Sequence, residues 1–468
     1  MMAEKRQYFL CGVGGSGMLP LALILRAKGA EVSGSDRALD QGRTGAKFEF
    51  LEAQGVNLFA QDGSGLTSAD QTLVASAAVE DTVPDIKAAL TLGCQRLTRA
   101  ELLAELFNAA QMPIGVAGTS GKSTTTAMIA WILHETGRDP TVMNGAVMKN
   151  FVSDDTPFAS ALVGAGNSFV SELDESDGSI ALFNPQIAVL NNISLDHKTM
   201  DELRILFGDF ISKARIAILN ADDEETMRLS SLAKDAITFA IQSESAHLGA
   251  DAIEPQPFGV SFTAIDRRSK RRERINLKIP GRHNVANGLA AIGGAIAAGI
   301  YFDDAANALS TFEGVKRRFE FIGEENGVTV IDDFGHNPDK IAATLKTLRD
   351  FPGRLLVMFQ PHGFGPLKKM RDELIESFAE NLSDDDILLM PEPVYYGGTT
   401  DRAVSSGDII AGVSAHGKQA EGLATRAECG ERLIELAQSG DRVVIMGARD
   451  DTLPIFAANL LTRLKGEA

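Results

Sequence analysis

Cysteine and basic charge are scarce in this sequence. Its 468 residues include three cysteines, Cys11, Cys94 and Cys429, which lie far apart and form no C-x-x-C pair. A disulfide framework and a cysteine zinc site are therefore excluded, and the pattern favours a reducing cytoplasm. Lys plus Arg number 45 against 63 Asp plus Glu, which gives a formal net charge of −18. This balance argues against nucleic-acid binding over a wide surface.

Long hydrophobic runs are also missing. Residues 1–10 lack the apolar core of a secretory signal, and the longest weakly polar stretch, 285–300, has only 16 residues. Because crossing a bilayer takes about 20 apolar residues, we expect a buried helix there and no membrane association. The composition that is present, 44% hydrophobic and 23% charged, is typical of a globular protein.

Strand-like runs alternate with helix-like runs along most of the chain, which predicts parallel sheets with crossover helices. We predict a three-domain α/β fold: a Rossmann-like domain at 1–108, a central P-loop ATPase-like domain at 109–313 and a second Rossmann-like domain at 314–468. Near the end of the central domain, the strand-like residues 260–265 and 275–279 enclose a basic run. An antiparallel hairpin with a solvated turn is the favoured interpretation of that run, and a nucleic-acid patch is the alternative.

The first motif is glycine-rich and directly follows the strand-like residues 8–11. Gly12-Val13-Gly14-Gly15-Ser16-Gly17 fits G-x-G-x-x-G at the start of a helical run. Backbone N–H groups and the helix dipole at such a turn can bind a pyrophosphate. Asp36 lies 19 residues after Gly17, a spacing that suits an acid bound to a ribose hydroxyl, so the motif alone favours NAD. A glycine-rich turn without a ligand is the alternative.

A second glycine-rich turn, Gly118-Thr119-Ser120-Gly121-Lys122-Ser123-Thr124, lies between the strand-like residues 114–117 and the helical run 125–135. Backbone donors and Lys122 would neutralise the β- and γ-phosphates of a nucleotide, and the Ser123 hydroxyl would bind Mg²⁺. The strict G-x-x-x-x-G-K-[ST] pattern fails because Val116 stands in place of its first glycine. The turn still predicts a nucleotide site, with a structural loop as the alternative.

Two residues at the ends of neighbouring predicted strands complete a candidate metal site. Glu172 closes the strand-like residues 168–172, and His197 follows the strand-like residues 187–191. Mg²⁺ prefers oxygen ligands, so an imidazole is unusual but permissible. A structural role at a strand end is the alternative for both residues.

Six motifs in this order resemble those of the Mur ligases, which make amide bonds in peptidoglycan precursors with ATP. The motifs are Gly-Thr-Ser-Gly-Lys-Ser at 118–123, Glu-Leu-Asp-Glu-Ser-Asp at 172–177, Asn-Asn-Ile through Asp-His at 191–197, His-Asn-Val-Ala-Asn at 283–287, Lys-Arg-Arg-Phe-Glu at 316–320 and Asp-Asp-Phe-Gly-His-Asn-Pro at 332–338. The match covers essentially the whole chain. The first glycine loop, with Gly34-Ser35-Asp36, looks like the branch that takes UDP-N-acetylmuramate.

The resemblance implies a ligase that uses ATP and Mg²⁺ to join the carboxylate of UDP-N-acetylmuramate to an amino acid, with L-alanine favoured, through an acyl phosphate. The first loop would then bind the UDP-sugar and not NAD, through Gly14, Gly15, Ser16, Gly17 and Asp36. ATP would contact Gly118, Thr119, Ser120, Gly121, Lys122, Ser123, Thr124, Asn284, Asn287, Arg318 and Asp333. The implied catalytic residues are Lys122, Glu172, His197 and Arg318, and the implied metal ligands are Ser123, Glu172 and His197.

Departures from the family pattern concern the acceptor. This branch usually has His and Thr where the chain has Ser120 and Ser123, and the alanine-adding enzymes resemble Phe-Gln-Pro-His-Arg-Tyr where Gly363 replaces the arginine. Three alternatives stay open: a recycling ligase that adds the L-Ala-D-Glu-diaminopimelate tripeptide, a non-catalytic nucleotide-binding regulator and an NAD-dependent oxidoreductase. The lysine that is carbamylated in some Mur ligases has no clear counterpart, although Lys213 is close to that place. The sequence indicates no oligomeric state.

Overall fold

The computed structural model describes residues 6–77, 79–195, 198–393, 403–448 and 450–466. The chain forms two compact α/β units. The first contains the chain up to Glu254 with Ser261–Lys278 and Asn284–Val315, and the second contains Pro255–Val260, Ile279–His283 and the chain from Lys316 onward. In these described ranges, no helix is long and apolar enough to cross a bilayer.

A parallel sheet begins the first unit, with five strands among the residues described. Its strands are β1 (Gln7–Cys11), β2 (Glu31–Ser35), β3 (Asn57–Phe59), β4 (Gln71–Ala75) and β5 (Gln95–Thr98), and its helices are α1 (Met18–Ala27), α2 (Arg37–Asp40), α3 (Gly45–Ala53), α4 (Pro84–Leu92) and α5 (Arg99–Asn108). The order β3-β2-β1-β4-β5 places the first glycine loop at the carboxyl end of the central strand. A capping box between Thr98 and Glu101 begins α5, as the sequence predicts.

The central sheet contains ten strands within the described part of the chain. They are β6 (Met112–Ala117), β7 (Thr141–Met143), β8 (Ala161–Leu162), β9 (Ser168–Glu172), β10 (Ile187–Leu190), β11 (Ile216–Asn220), β12 (Ala236–Ala240), β13 (Leu248–Gln256), β14 (Gly259–Asp266) and β15 (Arg271–Leu277). The associated helices are α6 (Lys122–Glu135), α7 (Met200–Lys213), α8 (Glu224–Arg228), α9 (Arg282–Ala297) and α10 (Phe302–Leu309). Strand β6 pairs in parallel with both β9 and β10, so three carboxyl ends meet beside the second glycine-rich turn, residues 118–124, which we call the phosphate loop.

Residues 267–270 of the basic run form the turn between β14 and β15, which are neighbours in the sheet, whereas residues 271–274 belong to β15 and lengthen the predicted strand at its start. This confirms the predicted hairpin. Arg271 forms an ion pair with Asp303, and Arg272 forms one with Asp251, each at 2.5 Å. Acidic side chains of the same chain therefore neutralise much of the run, as expected for a solvated turn and not for a nucleic-acid patch.

The first sheet and the central sheet share one apolar core. Phe107 of α5 is fully buried, and its ring packs edge-on against Phe169 at 5.8 Å and Phe183 at 5.4 Å between ring centroids. The side-chain amide of Asn108 donates to the carbonyl of Leu182 at 2.9 Å. These contacts join the two sheets of the first unit into a single packed body.

The second unit is built on a further sheet, for which the described residues supply six strands. They are β16 (Glu320–Glu325), β17 (Val328–Asp333), β18 (Leu355–Gln360), β19 (Ile387–Pro391), β20 (Gln419–Leu423) and β21 (Arg442–Gly447), in the order β16-β17-β21-β18-β19-β20. The helices are α11 (Pro338–Arg349), α12 (Phe364–Lys369), α13 (Arg371–Asn381), α14 (Ser406–Ala415), α15 (Arg426–Leu436) and α16 (Leu453–Leu464). One helix is predicted over 367–380, but Met370 takes the non-helical angles φ −106° and ψ 17° and separates α12 from α13.

Candidate functional site

The first glycine loop connects β1 to α1 and is held by Asp36. The Asp36 Oδ2 atom accepts a hydrogen bond from the N–H of Gly14 at 2.9 Å, and Oδ1 accepts one from the N–H of Ala38 at 2.8 Å. Asp36 therefore fixes the shape of the loop, and its contact with a substrate stays a prediction. Among the described residues, the N–H groups of Ser16 and Gly17 have no acceptor within the chain, which leaves them available to an anion at the start of α1.

Two cationic side chains flank this loop, and no sequence motif marks either of them. Lys47 donates from Nζ to the carbonyl of Gly14 at 3.0 Å. Arg99 lies against Gly17, where an added Cβ would be 2.9 Å from Arg99 Cδ and 3.1 Å from its Nη1. Both residues are distant from the loop in the sequence, so only the folded chain reveals a cationic border that suits a diphosphate.

The phosphate loop connects β6 to α6, and Lys122 is the first residue of that helix. The Lys122 Nζ atom donates to the carbonyl of Gly118 and to Glu175 Oε2, each at 2.8 Å. The Lys122 side chain is 19% exposed and that of Glu175 is 6% exposed. Burial lowers the pKa of Lys122, but the negative charges of Glu175 and Asp174 raise it further, so the pKa is above its ordinary value. The ammonium is therefore charged.

Asparagine side chains support the phosphate loop. Asn192 Oδ1 accepts from the N–H of Ser120 at 2.9 Å, and Asn192 Nδ2 donates to the carbonyl of Ser120 at 3.2 Å. Asn287 donates to Asn284 Oδ1 at 3.1 Å and lies so close to Gly121 that an added Cβ there would overlap its amide oxygen. The structure thus brings Asn287 to the loop, while contacts of Asn284 and Asn287 with adenine stay predictions.

Glu172 ends β9 and faces the first turn of α6. Ser123 Oγ donates to Glu172 Oε2 at 2.6 Å, and a Cβ added to Gly145 would overlap Glu172 Oε1. A hydroxyl and a carboxylate beside the phosphate loop fit Mg²⁺, which takes oxygen ligands and often only one or two from protein. Within the described ranges, no three His, Cys, Asp or Glu side chains form a group that could hold a metal ion. The predicted ligand His197 lies outside the described residues.

In the second unit, Asp333 ends β17 and its carboxylate is occupied by its own chain. Oδ2 accepts from the N–H of Phe319 at 2.8 Å, and Oδ1 accepts from the N–H of Gly335 at 2.7 Å. Asp333 therefore fixes the segment that carries Arg318, whose guanidinium lies 4.3 Å from the centroid of the Phe334 ring. The roles of Arg318 and Asp333 toward ATP stay predictions.

The carboxyl ends of β17 and β18 bring two histidines together, a cluster that the sequence analysis did not select. The rings of His336 and His362 are perpendicular, with centroids 5.3 Å apart, and His336 Nδ1 lies 3.0 Å from the carbonyl oxygen of Phe334. Burial, and then the charge of Lys340, lower the pKa of His336 to about 2. Gly363 is the N-cap residue before α12 and has φ 142°, a backbone conformation that side-chain-bearing residues rarely adopt.

We expect His336 to make the stability of the chain fall at acid pH. An unfolded imidazole has a pKa of about 6.5, so the unfolded state binds the proton first as the pH falls. This group should lower the free energy of unfolding below about pH 6.5 with a slope of at most about 1.4 kcal/mol per pH unit. Denaturant unfolding between about pH 7 and pH 4 should show a shallower slope for His336→Gln than for the wild type. Equal slopes would contradict the expectation.

Lys213 lies away from the phosphate loop. It ends α7, where its Nζ pairs with Asp209 at 2.6 Å and donates to the carbonyl of Ala181 at 2.7 Å. Helix α7 leads into β11, so Lys213 lies at the amino edge of the parallel strands, whereas the phosphate loop lies at their carboxyl edge. The contacts of Lys213 are therefore structural.

Three consecutive stretches of the chain match Mur ligase family descriptions. Residues 8–111 match "Mur ligase family, catalytic domain", residues 116–295 match "Mur ligase middle domain", and residues 317–449 match "Mur ligase, glutamate ligase domain". The UDP-N-acetylmuramate–L-alanine ligase of Nitratidesulfovibrio vulgaris (strain DP4) is 37% identical over 388 residues, which cover 81% of this chain and 82% of that protein. The enzyme of the same name from Geotalea daltonii is 35% identical over 428 residues, 90% of each chain.

Solved structures share the fold. The UDP-N-acetylmuramate-alanine ligase of Thermotoga maritima superposes with a TM-score of 0.78 over 98% of both chains at 24% identity. A murein peptide ligase of Psychrobacter arcticus gives a TM-score of 0.71 over 99% of both chains at 25% identity. The predicted α/β fold is confirmed, and with relatives more than 30% identical over at least four-fifths of its length, the chain belongs to the Mur ligase family.

Proposed function

We propose that this chain is an ATP-dependent ligase that joins the carboxylate of UDP-N-acetylmuramate to the amino group of L-alanine. The observation that carries the proposal is the placement of Glu172 and Ser123 beside Lys122 at the phosphate loop, in the same packed body as the first glycine loop. The relatives that match over most of the chain have this activity in their names. The three cysteines are free thiols, in keeping with the cytoplasmic location that we propose.

The chemistry begins with the carboxylate, which is a poor electrophile. Its oxygen attacks the γ-phosphorus of ATP, ADP leaves, and an acyl phosphate forms. The amine nitrogen then attacks the acyl carbon, inorganic phosphate leaves, and the nitrogen loses a proton to give the amide. Lys122 would offset the charge on the phosphoryl oxygens, and Arg318 is the second cation that we assign to this task. Mg²⁺, held by Ser123, Glu172 and the predicted ligand His197, would supply Lewis-acid stabilisation of the phosphate charge.

Arg99→Ala should weaken the binding of the UDP-sugar and leave ATP binding unchanged. We assign the Arg99 guanidinium to the diphosphate because it lies against Gly17 in the first glycine loop. Loss of one charge-assisted hydrogen bond should raise the KM for UDP-N-acetylmuramate by about 10-fold or more, while the KM for ATP changes by less than about 2-fold.

Arg96→Ala is the matched control for this experiment, because Arg96 is partly exposed on β5 and pairs with Asp81 at 2.9 Å. Its KM values should equal those of the wild type. An unchanged KM for the UDP-sugar in Arg99→Ala, or an equal rise for both substrates, would remove Arg99 from the site.

A recycling ligase is the second candidate, and Gly363 favours it. Gly363 replaces the arginine of the alanine-adding pattern, and its φ of 142° disfavours any larger residue there. The acceptor on this alternative is the tripeptide L-Ala-D-Glu-diaminopimelate.

One experiment separates these functions. ADP release and amide formation are measured with UDP-N-acetylmuramate and, in separate reactions, L-alanine, glycine, L-serine and the tripeptide. Turnover with L-alanine supports the main proposal, and turnover with the tripeptide alone supports the recycling ligase. ATP binding without turnover on any acceptor would favour a non-catalytic regulator, and binding of NAD in place of the UDP-sugar would favour an oxidoreductase.

A further inference from the structure

The segment that follows β9 places carboxylates along the phosphate loop. Leu173 anchors it, because its side chain is 1% exposed and its N–H donates to the carbonyl of Val116 at 2.8 Å. Glu172 and Glu175 lie on either side of this anchor, and only Glu172 has a part in the proposed metal site. Glu175 is therefore an acidic residue at the phosphate loop without an assigned task.

Glu175 is 4% exposed, and the structure gives its carboxylate one partner. Its Oε2 atom accepts from Lys122 Nζ at 2.8 Å, and no other hydrogen bond to the carboxylate occurs among the residues described. A buried ion pair is seldom more stabilising than well-packed apolar side chains of the same size. The ion pair of Glu175 with Lys122 is therefore better explained by an effect on the orientation and charge of Lys122 than by a contribution to stability.

The hydrogen bonds of Lys122 show how Glu175 affects its orientation. An ammonium group has three N–H donors. One is bound to the carbonyl of Gly118 and one to Glu175, and in the described part of the chain the third has no acceptor. Two fixed bonds restrict the rotation of the ammonium, so the remaining donor has a defined direction before a nucleotide arrives.

We propose that Glu175 is a positioning residue that holds Lys122 for phosphoryl transfer and moderates its attraction for ATP. The inference rests on the proposed function, which assigns Lys122 to the ATP phosphates. The hydrogen bond restricts the ammonium to one orientation, which lowers the barrier of the chemical step. The negative charge offsets that of Lys122, which weakens ground-state binding of the nucleotide.

Two substitutions separate the hydrogen bond from the charge. Glu175→Gln keeps an acceptor and removes the charge, so the KM for ATP should fall by about 3-fold while kcat changes by less than about 2-fold. Glu175→Ala removes both, so the KM for ATP should fall similarly while kcat falls by about 10-fold or more. A merely structural role would instead raise KM and lower kcat, without recovery by glutamine.

A binding measurement tests the charge effect without turnover. Calorimetric titration with a non-hydrolysable ATP analogue and Mg²⁺ should show tighter binding by both Glu175 variants than by the wild type. Glu135→Gln is the matched control, because Glu135 is the exposed last residue of α6 and should leave binding and turnover unchanged. Thermal unfolding of each variant establishes that the chain is folded.

Tighter analogue binding by both variants, together with a loss of kcat in Glu175→Ala that Glu175→Gln recovers, supports the inference. Unchanged or weaker analogue binding, or equal kcat values in the two variants, overturns it. If the wild type binds the analogue but forms no amide with any acceptor, the proposed function fails, and the titrations still decide whether Glu175 moderates Lys122.

Discussion

Lys122→Ala should remove ATP-dependent ligation from a chain that still folds. Lys122 is the cation within the phosphate loop itself, and its ammonium is already held by Gly118 and Glu175. Removing a group that stabilises transition-state charge should lower kcat/KM by about 10²- to 10³-fold. The measurement is steady-state ligation with UDP-N-acetylmuramate, ATP and the preferred acceptor.

Stability provides a second measurement on the same variant. Glu175 would stay buried without its partner, so the free energy of unfolding of Lys122→Ala should fall, by about 1–3 kcal/mol. Lys87→Ala, on the exposed surface of α4, should change neither activity nor stability. If Lys122→Ala kept more than about a tenth of kcat/KM, a loss of less than about 1.4 kcal/mol, the assignment of the loop would be wrong.

Gly145→Ala should disable the Mg²⁺ site at little cost to the fold. The added methyl group would overlap Glu172 Oε1, so the carboxylate has to move and the 2.6 Å bond to Ser123 is broken. Because the obstructing atom ends a flexible side chain, the free energy of unfolding should change by less than about 1.5 kcal/mol. Turnover should fall by about 10- to 100-fold, and the Mg²⁺ concentration for half-maximal rate should rise.

Glu172→Ala is the reference for that experiment, and the two variants should have similar Mg²⁺ dependence. Gly45→Ala is the control, since a Cβ on Gly45, at the start of α3, meets open space. Titration of the ligation rate with Mg²⁺ measures both effects. A wild-type Mg²⁺ requirement in Gly145→Ala would contradict the placement of the metal at Glu172.

The strands around the phosphate loop could be predicted because their signals are local. Short apolar runs such as β6 and β10 indicate buried parallel strands, and these two strands and β9 begin and end within two residues of the predicted bounds. The meeting of Glu172 with the phosphate loop also follows from the sequence, since the carboxyl ends of parallel strands lie along one edge of a sheet. The roles given to Arg318 and Asp333 came from the resemblance to the Mur ligases, and the residues by themselves carry no such signal.

Residues that long-range packing brings to the site cannot be predicted from local sequence patterns. Arg99 reaches the first glycine loop only because β5 lies beside β4 in the first sheet, and nothing in the residues around it marks an anion site. Glu175 belongs to a quoted motif, but its pairing with Lys122 depends on how the segment after β9 turns. The spacing of Asp36 predicts a contact with a ligand, but it does not reveal that both carboxylate oxygens also accept hydrogen bonds from backbone N–H groups of the chain itself.

The aromatic contact of Phe107 with Phe169 and Phe183 has a consequence for enzyme engineering. A chimaera that took the first sheet from one ligase and the central sheet from another would have its crossover near residue 108, within that contact. Substitution of a buried phenylalanine that leaves a cavity costs about 3–5 kcal/mol, so mismatched partners would yield unstable hybrids. The two sheets therefore have to be exchanged together, so that Phe107, Phe169 and Phe183 all come from a single parent.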